Sequence, residues 1–305
     1  NALKEFEVAK SRDPNNADVL QAMGYVQRRQ GNWDEAYKNL RRALELEPTS
    51  VDLFGAVIET AIYMRRYEDA DRYIERGHAF APEFPTFGAL KAQRLMRTGD
   101  FAASQAVLDE HAQKHGGAAG LSVQINLDIY LNNYEDLRQR VPNLEFIERE
   151  FGVADSANYY LIRGLSYDLE NDMENESETA RAYYDSARAV WERQLEERPN
   201  DAQTHGLLAQ VYAGLRDPNK AYYHAGRAIE IMPLSKDALV GADMLMIEAS
   251  IQALFGDVNK ALDTMEFLLS IPSEVTPSTL EHNPFFFRLR DLPRFKELIR
   301  EKKTL

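Results

Sequence analysis

The sequence of 305 residues contains no cysteine. This absence excludes disulfides, thiolate nucleophiles and cysteine-ligated zinc or iron–sulfur sites, and it leaves the redox compartment open. Long apolar runs are missing as well, because the most apolar stretch, 238–255, is interrupted by Asp243 and Glu248. A transmembrane helix needs a run of roughly 18 apolar residues, so we expect no direct membrane insertion.

Basic residues are scarce relative to acidic ones. The sequence has 36 Lys and Arg against 49 Asp and Glu, which gives a formal net charge of −13. An acidic surface repels phosphate backbones and anionic lipids, so we expect no nucleic-acid partner and no membrane-surface role. The hydrophobic fraction of 44% and the charged fraction of 28% are typical of a soluble globular protein. The length allows about two compact domains or one extended array.

Enzyme signatures are also absent, since the sequence has neither a G-x-x-x-x-G-K-[ST] loop nor a G-x-G-x-x-G loop. The segment 164–168 approaches a G-x-S-x-G nucleophile elbow but lacks the final glycine, and Gly164 fits a helix contact better. His111 and His115 are one helical turn apart without an intervening glutamate or a third ligand, and we interpret them as helix-end cations. We therefore expect no catalytic residue, no cofactor and no metal.

What the sequence does contain is a period of 34 residues. Pro48 and Pro82 are 34 residues apart, and so are Pro199 and Pro233. Superposing 17–50 on 51–84 pairs side chains of similar size and polarity, among them Leu20 with Phe54, Met23 with Val57, Trp33 with Tyr67, Ala36 with Ala70 and Leu40 with Ile74. The apolar spacing predicts two helices in each unit, and the prolines predict where each unit ends.

This pattern resembles the tetratricopeptide repeat family. The matching residues of the first full unit are Leu20, Met23, Gly24, Gly31, Trp33, Ala36, Leu40, Ala43 and Pro48. The resemblance implies an all-α fold, a right-handed superhelical solenoid over 1–272. Its units are a half repeat at 1–16, repeats at 17–50, 51–84 and 85–117, a degenerate helical pair at 118–156, and repeats at 157–201, 202–235 and 236–272. The half repeat leads us to expect a further helix upstream.

The repeat at 157–201 carries an acidic insertion at 168–179. Acidic residues recur in it at every second position, a period that fits neither a helix face nor a calcium loop, and they are Asp168, Glu170, Asp172, Glu174, Glu176 and Glu178. We expect a solvated, mobile extension between two helices, and a docking site for a basic partner is the alternative.

The final segment, 273–305, is rich in proline and phenylalanine. From Asn283-Pro284 to Pro293-Arg294-Phe295 it resembles the closing segment of bacterial repeat-bearing regulators, which include kinases, nucleotide cyclases and membrane-anchored transcription regulators. The face of Phe286 and Leu289 and that of Phe295, Leu298 and Ile299 are apolar. We expect this segment to form a helical cap, because the open end of a solenoid has to be covered.

The family resemblance also implies a binding surface, because the first helix of each repeat lines the concave side. By position, that surface comprises Gln21, Tyr25, Arg28, Glu59, Tyr63, Gln93, Asn158, Leu165, Gln203, Gln210, Met246 and Ser250. Gln21 and Tyr25 replace the Lys and Asn with which some members bind a terminal carboxylate, so chaperone-tail recognition is disfavoured. The mixture of aromatic and amide side chains favours a protein or peptide partner.

The sequence therefore predicts a non-catalytic scaffold for protein interaction and signal transduction, part of a larger, bacterial protein. One alternative is a sensor or assembly arm of a kinase or nucleotide cyclase whose catalytic domain lies outside this chain. Another is a self-associating structural scaffold, which would be a homo-oligomer. The cytoplasm and the periplasm both remain open as locations.

Overall fold

The computed structural model describes residues 2–116, 120–146, 156–170 and 177–300, and these residues form helices joined by turns without any strand. The all-α prediction is confirmed for them. In chain order the α-helices are α1 (Ala2–Arg12), α2 (Ala17–Arg29), α3 (Trp33–Leu46), α4 (Val51–Tyr63), α5 (Tyr67–Phe80), α6 (Thr86–Arg97), α7 (Phe101–His115), α8 (Leu121–Tyr130), α9 (Tyr134–Arg140), α10 (Ser156–Glu170), α11 (Glu178–Glu197), α12 (Ala202–Gly214), α13 (Pro218–Ile231), α14 (Val240–Phe255), α15 (Val258–Leu269), α16 (Pro277–His282) and α17 (Pro293–Arg300). A 3₁₀ helix, Pro284–Leu289, precedes α17. Among the described residues, no helix has both the length and the apolar character that crossing a bilayer requires.

Polar side chains fix where the helices begin. The side chains of Asn16, Ser50 and Asp201 each accept a hydrogen bond from the backbone N–H three residues later, which satisfies one of the free donors of the following helix. Asp217 does the same ahead of Pro218, whose ring suits the first helical position. These caps divide the chain into helical pairs in which α2 packs on α3, α4 on α5, α6 on α7, α10 on α11, α12 on α13 and α14 on α15.

Small residues set the closest approach of the two helices within a unit. A Cβ atom on Gly24 would lie 2.6 Å from Cγ of Leu40, and Ala36 is completely buried at the same crossing. In the unit of α10 and α11, a Cβ atom on Gly164 would lie 2.9 Å from the ring of Tyr184. The absence of a side chain at Gly164 therefore leaves room for the fully buried ring of Tyr184.

The tail from 277 onward covers the last repeat. Phe286, Leu289 and Phe295 are completely buried and lie in one apolar cluster with Met265 and Leu268 of α15. Pro284 begins the 3₁₀ helix behind Asn283, whose side chain accepts a hydrogen bond from the N–H of Phe285. The apolar faces expected from the sequence are thus the faces that pack against the end of the solenoid.

The acidic insertion requires a correction, because its first residues belong to a helix. Helix α10 continues to Glu170, and Asp168 is buried, where it accepts hydrogen bonds from Arg216 at 2.8 and 3.1 Å and from Tyr184 at 3.1 Å. Glu170 pairs with Arg138 at 2.8 Å. Both carboxylates therefore belong to helix α10, Asp168 in the interior and Glu170 exposed at its last residue, and not to an extension between helices. Residues 171–176, with Asp172, Glu174 and Glu176, lie outside the described residues.

The turns of the first three units meet a distant part of the chain. Three arginines contact residues between 237 and 276. They are Arg29 at the end of α2, Arg65 just after α4 and Arg97 at the end of α6. These contacts join positions that are more than 170 residues apart in the sequence. The solenoid therefore curves far enough for its early units to touch the loop before α14 and the segment after α15. We call this contact region the junction.

Candidate protein-interaction surface

The surface expected to bind a partner is best formed between α2 and α4. A groove of about 600 Å³ runs between the two helices, and Thr86 at the start of α6 lies at one side. Its polar lining includes Gln21, Tyr25, Arg28 and Glu59, so the structure brings four of the residues chosen from the sequence together. Tyr25 is 36% exposed, so part of its ring is accessible to a partner.

Hydrogen bonds and charge order these four side chains. The Gln21 amide donates to the Tyr25 hydroxyl at 3.0 Å, and the Arg28 guanidinium lies 5.6 Å from the centre of the Tyr25 ring. Arg28 also pairs with Glu59 at 3.3 Å, so its charge is largely balanced. The groove thus presents an aromatic face, an amide and a neutralised ion pair, and Asp52 adds a further carboxylate. Such a lining suits a peptide, whose backbone needs hydrogen bonds and whose side chains need apolar contact.

Two other residues of the expected surface lie beneath the tail. Gln210 and Met246 line a cavity of about 180 Å³ between α12 and α14, which is closed on one side by Asn283 and Phe285. Ser250 lines the same cavity, and its hydroxyl donates to the carbonyl of Met246. The concave side of the last repeats is therefore partly filled by the chain itself.

Tyr63 lies in the junction. Its ring stacks on Trp33 with 5.6 Å between centroids, and its hydroxyl donates to Glu274 at 3.0 Å. Burial, followed by the charge of Glu274, raises the pKa of Tyr63 above its ordinary value. Tyr63 is half-buried, and its hydroxyl is already engaged by Glu274.

The remaining expected residues are scattered. Gln93 is half-buried on α6, Asn158 is half-buried on α10, and Gln203 is exposed at the start of α12. None of the three lines the groove or the cavity beneath the tail. Leu165 faces the core of the middle repeats and is only 8% exposed, so its assignment to the concave surface is wrong.

The histidine pair of α7 does not behave as a pair of helix-end cations. His111 is buried against Gly88, and burial, followed by the charge of His115, lowers the pKa of His111 below its ordinary value. This shift disfavours the cationic form of His111, and the last turn of α7 holds Lys114 and His115 instead, so the prediction of a helix-end cation does not fit His111. Across the described ranges, no three His, Asp or Glu side chains are grouped closely enough to hold a metal ion.

The root of the acidic insertion forms a polar recess of about 760 Å³ between the α8–α9 turn, the end of α10 and the 3₁₀ helix. Glu135, Asp136 and Glu170 line it together with Arg290. Glu135 and Glu170 both pair with Arg138, at 3.0 and 2.8 Å, so part of the negative charge is already balanced. This lowers the attraction of the recess for a basic partner.

The carboxylates at the junction differ in their surroundings. Asp237 pairs with Arg29 at 2.5 Å, and Glu274 pairs with Arg97 at 2.9 Å. Asp243 keeps contact with solvent but lies close to both carboxylates. Partial desolvation by the surrounding protein, followed by the charge of Glu274, raises the pKa of Asp243 to about 7.

Sequence reasoning did not identify the junction residues. One signal was available, because Arg65 follows Gly31 by 34 residues and takes the position that glycine holds in the preceding unit. A long cationic side chain at a position that favours glycine indicates that contacts of this side chain outside the repeat offset the energetic cost of a left-handed backbone. The acceptors of its hydrogen bonds lie more than 200 residues away, where no local pattern points to them.

Comparison with known proteins agrees with this architecture. The family model described as tetratricopeptide repeat matches residues 17–50. The human IFIT1 dimer with PPP-AAAA superposes with a TM-score of 0.54 at 13% identity, over 93% of this chain and 71% of that chain. The human IFIT1 dimer with m7Gppp-AAAA gives 0.55 at 14% identity, over 98% and 76%. No curated protein matches the sequence significantly.

At such identities the likeness to IFIT1 concerns the fold alone. The family match covers one unit, and the later pairs α4–α5, α6–α7, α8–α9, α12–α13 and α14–α15 repeat the same arrangement of helix, left-handed turn and helix. Residues 17–50 are therefore a tetratricopeptide repeat, and the chain has the fold of a tetratricopeptide-repeat helical solenoid.

Proposed function

We propose that this chain is a protein-interaction module that binds an extended peptide segment of a partner protein in the groove between α2 and α4, without catalysis. The observation that supports it most is the exposed Tyr25 ring, held by Gln21 and Arg28 at the edge of a preformed groove. Aromatic and arginine side chains in preformed recesses are the residue types that dominate binding energy at interfaces.

A peptide suits this groove better than a nucleic acid. The IFIT1 structures contain PPP-AAAA and m7Gppp-AAAA, which is a property of IFIT1. Here the two arginines that line the groove are each paired with a carboxylate, Arg28 with Glu59 and Arg29 with Asp237, and Asp52 lies beside them. A phosphate backbone would meet guanidinium groups that are already neutralised and the further carboxylate of Asp52, which opposes binding.

The experiment compares two exposed tyrosines. The wild-type chain, Tyr25→Ala and the control Tyr223→Ala are immobilised, and partners retained from a lysate of the native organism are quantified by mass spectrometry. Tyr223 is 60% exposed on α13, far from the groove, so it controls for the loss of a surface aromatic ring. We expect Tyr25→Ala to reduce retention of a specific protein at least tenfold, and Tyr223→Ala to leave it unchanged.

Equal retention by all three proteins would refute the assignment of the groove. A 5′-triphosphorylated oligoadenylate is measured against the same three proteins by fluorescence anisotropy. Binding of this RNA that is lost in Tyr25→Ala and kept in Tyr223→Ala would replace the peptide with a nucleic acid as the ligand.

Two alternatives are distinguished by further measurements. The tail from Asn283 to Phe295 resembles that of bacterial regulators, which favours a sensor or assembly arm of a kinase or nucleotide cyclase, and the sequence of the intact protein decides this. A self-associating scaffold would show a molecular mass that rises with concentration in light scattering, whereas the proposed module stays monomeric without its partner.

A further inference from the structure

The junction is built from equivalent turns of successive units. Arg29 pairs with Asp237 at 2.5 Å, and the carbonyl of Arg29 accepts a hydrogen bond of 2.6 Å from the N–H of Ala238. One unit later, the hydroxyl of Tyr63 donates to Glu274 at 3.0 Å. The junction therefore follows one edge of the solenoid.

Arg65 makes the most extensive contact. Its guanidinium donates to the carbonyls of Leu269 at 2.7 Å and Val275 at 2.9 Å, with longer bonds to Ile271 and Leu268. All four acceptors are backbone carbonyls at or just beyond the end of α15, where the helix dipole is negative and favours a cation. Arg65 also holds a left-handed φ of 54°, which a residue with a Cβ atom adopts at a cost. A strained backbone of this kind persists where the side chain it directs has a role.

The third unit repeats the pattern. Arg97 is buried and pairs with Glu274 at 2.9 Å, and the hydroxyl of Thr276 donates to the carbonyl of Arg97 at 2.9 Å. Close by, the rings of Phe101 and His282 lie 4.6 Å apart. Ion pairs and hydrogen bonds to backbone thus predominate at each of the three turns.

The apolar cores on the two sides of the junction are largely separate. The cluster of the first three units runs from Ala17 to Leu90 and takes in Ala238 from the other side, with Leu234 and Leu239 at its edge. The side chains of α15 and the tail belong to a different cluster, and Leu234 packs against both clusters. Separation at the junction would therefore break mostly polar contacts, for which water can substitute, and would withdraw only Ala238, Leu234 and Leu239 from the first core.

We propose that the junction is a releasable clasp that opens and closes the solenoid. In the closed form it holds Tyr63 and Arg97 against Glu274. In the open form it frees the concave faces of α4 and α6. The consequence for a partner rests on the proposed function, since opening would extend the peptide groove from α2 and α4 toward α6.

A disulfide across the clasp tests whether it opens. A Cβ atom on Gly31 would lie 3.6 Å from the Cβ atom of Ala238, a separation that a disulfide can bridge. The chain has no other cysteine, so Gly31→Cys with Ala238→Cys yields one defined cross-link. Gly31 has a φ of 78°, and side chains are accommodated at the equivalent positions of Arg65 and Asn132.

Amide hydrogen exchange is compared between the oxidised and reduced double variant, after circular dichroism has shown equal helicity. We expect exchange at 62–66 and 96–99 to be at least tenfold slower in the oxidised form, because those amides exchange through the open clasp. Exchange in α12 and α13 should not change. Equal rates at the junction in the two forms, or failure of the disulfide to form in a folded protein, would overturn the proposal.

A second pair of variants covers the case in which the cysteines prevent folding. Arg65→Gly removes both the strain of the left-handed backbone and the guanidinium that holds the clasp. Asn132→Gly removes the same backbone strain at the equivalent turn of a unit that lies away from the clasp. In small-angle scattering we expect a larger radius of gyration for Arg65→Gly than for Asn132→Gly. Identical radii and identical exchange at 96–99 in the two variants would refute the clasp, and they would leave peptide binding through Tyr25 untouched as a separate question.

Discussion

At the scale of the residue, the turn inside six of the units, those whose turns the structure describes, makes one conformational demand. The chain passes through the left-handed region there, at Gly31, Arg65, Gly99, Asn132, Arg216 and Gly256. Glycine does so freely, whereas a residue with a Cβ atom loses about 1–2 kcal/mol. Two arginines offset that cost with their side chains, Arg65 on the carbonyls after α15 and Arg216 on buried Asp168.

Ala36 and Ala70 show the opposite demand, for minimal volume. Both are completely buried where the two helices of a unit cross. We expect Ala36→Leu and Ala70→Leu each to lower the free energy of unfolding by about 1–3 kcal/mol, because three extra carbons force neighbouring side chains apart. Urea denaturation gives the values, and Ala106→Leu on the exposed face of α7 is the matched control. An unchanged midpoint in Ala36→Leu would show that the register of the repeat is wrong.

The paired imidazoles of α12 and α13 give the chain a pH dependence. The Nδ1 atoms of His205 and His224 are 2.9 Å apart, so one ring donates to the other. Burial, followed by the charge of His205, lowers the pKa of His224 to about 4 from the ordinary 6.5. Between these values the unfolded chain binds a proton that the folded chain does not, so the free energy of unfolding falls as the pH decreases.

The size of this loss between pH 7 and pH 4 should be on the order of 2–3 kcal/mol. Urea denaturation at pH 7, 5.5 and 4.5 compares the wild type with His224→Gln, in which an amide keeps a hydrogen bond to His205 but cannot titrate. The glutamine variant should have the weaker pH dependence over this range. Equal slopes for both proteins would contradict the assignment.

At the scale of the element, local patterns account for most helices but not for all of their ends. The prolines at 48, 82, 199 and 233 and the paired small residues fix the register of three units. The C-terminal end of helix α10 could not be predicted in this way, because the local alternation of acidic residues indicates that Asp168 and Glu170 are solvated charges. Their partners Arg216 and Arg138 lie 48 and 32 residues away. Those contacts extend the helix.

The two ends of the acidic insertion 168–179 belong to helices and differ in burial, because Asp168 at the end of α10 is buried whereas Glu178 at the start of α11 is exposed. Asp168→Ala removes the buried carboxylate that accepts hydrogen bonds from Arg216 and from the hydroxyl of buried Tyr184, so we expect a loss of about 3–5 kcal/mol in the free energy of unfolding. Glu178→Ala, an exposed position at the start of α11, should change it by less than about 0.5 kcal/mol. Thermal denaturation of both variants measures the difference, and similar losses would show that Asp168 does not anchor the helix.

At the scale of the whole molecule, the fold class was predictable from the sequence and the closure was not. The 34-residue period predicts a solenoid, because each unit buries its apolar face only against its neighbours. The clasp depends on how far the solenoid curves, and small rotations between units add up to place Arg65 beside Val275. The groove was partly predictable, since Tyr25 and Glu59 both line it. Tyr63 does not line it and instead donates a hydrogen bond to Glu274, a contact across 211 residues that no local pattern indicates.

The contribution of the tail to stability can be measured separately from that of the clasp. Deleting 283–305 keeps the junction residues up to Thr276 and helix α16, but it removes Phe286 and Phe295, which are completely buried against α15. Burial of each ring contributes about 1.5–3 kcal/mol, so the free energy of unfolding should fall by about 3–6 kcal/mol from these two alone. The truncated chain also exposes Met265 and Leu268, and light scattering should show association that grows with concentration.

The control is the point variant Phe267→Ala, at an exposed position of α15, which should neither lower the free energy of unfolding to this extent nor promote association. A truncated chain that stays monomeric with the wild-type midpoint would show that the tail does not cap the solenoid, and it would favour a role as a docking peptide.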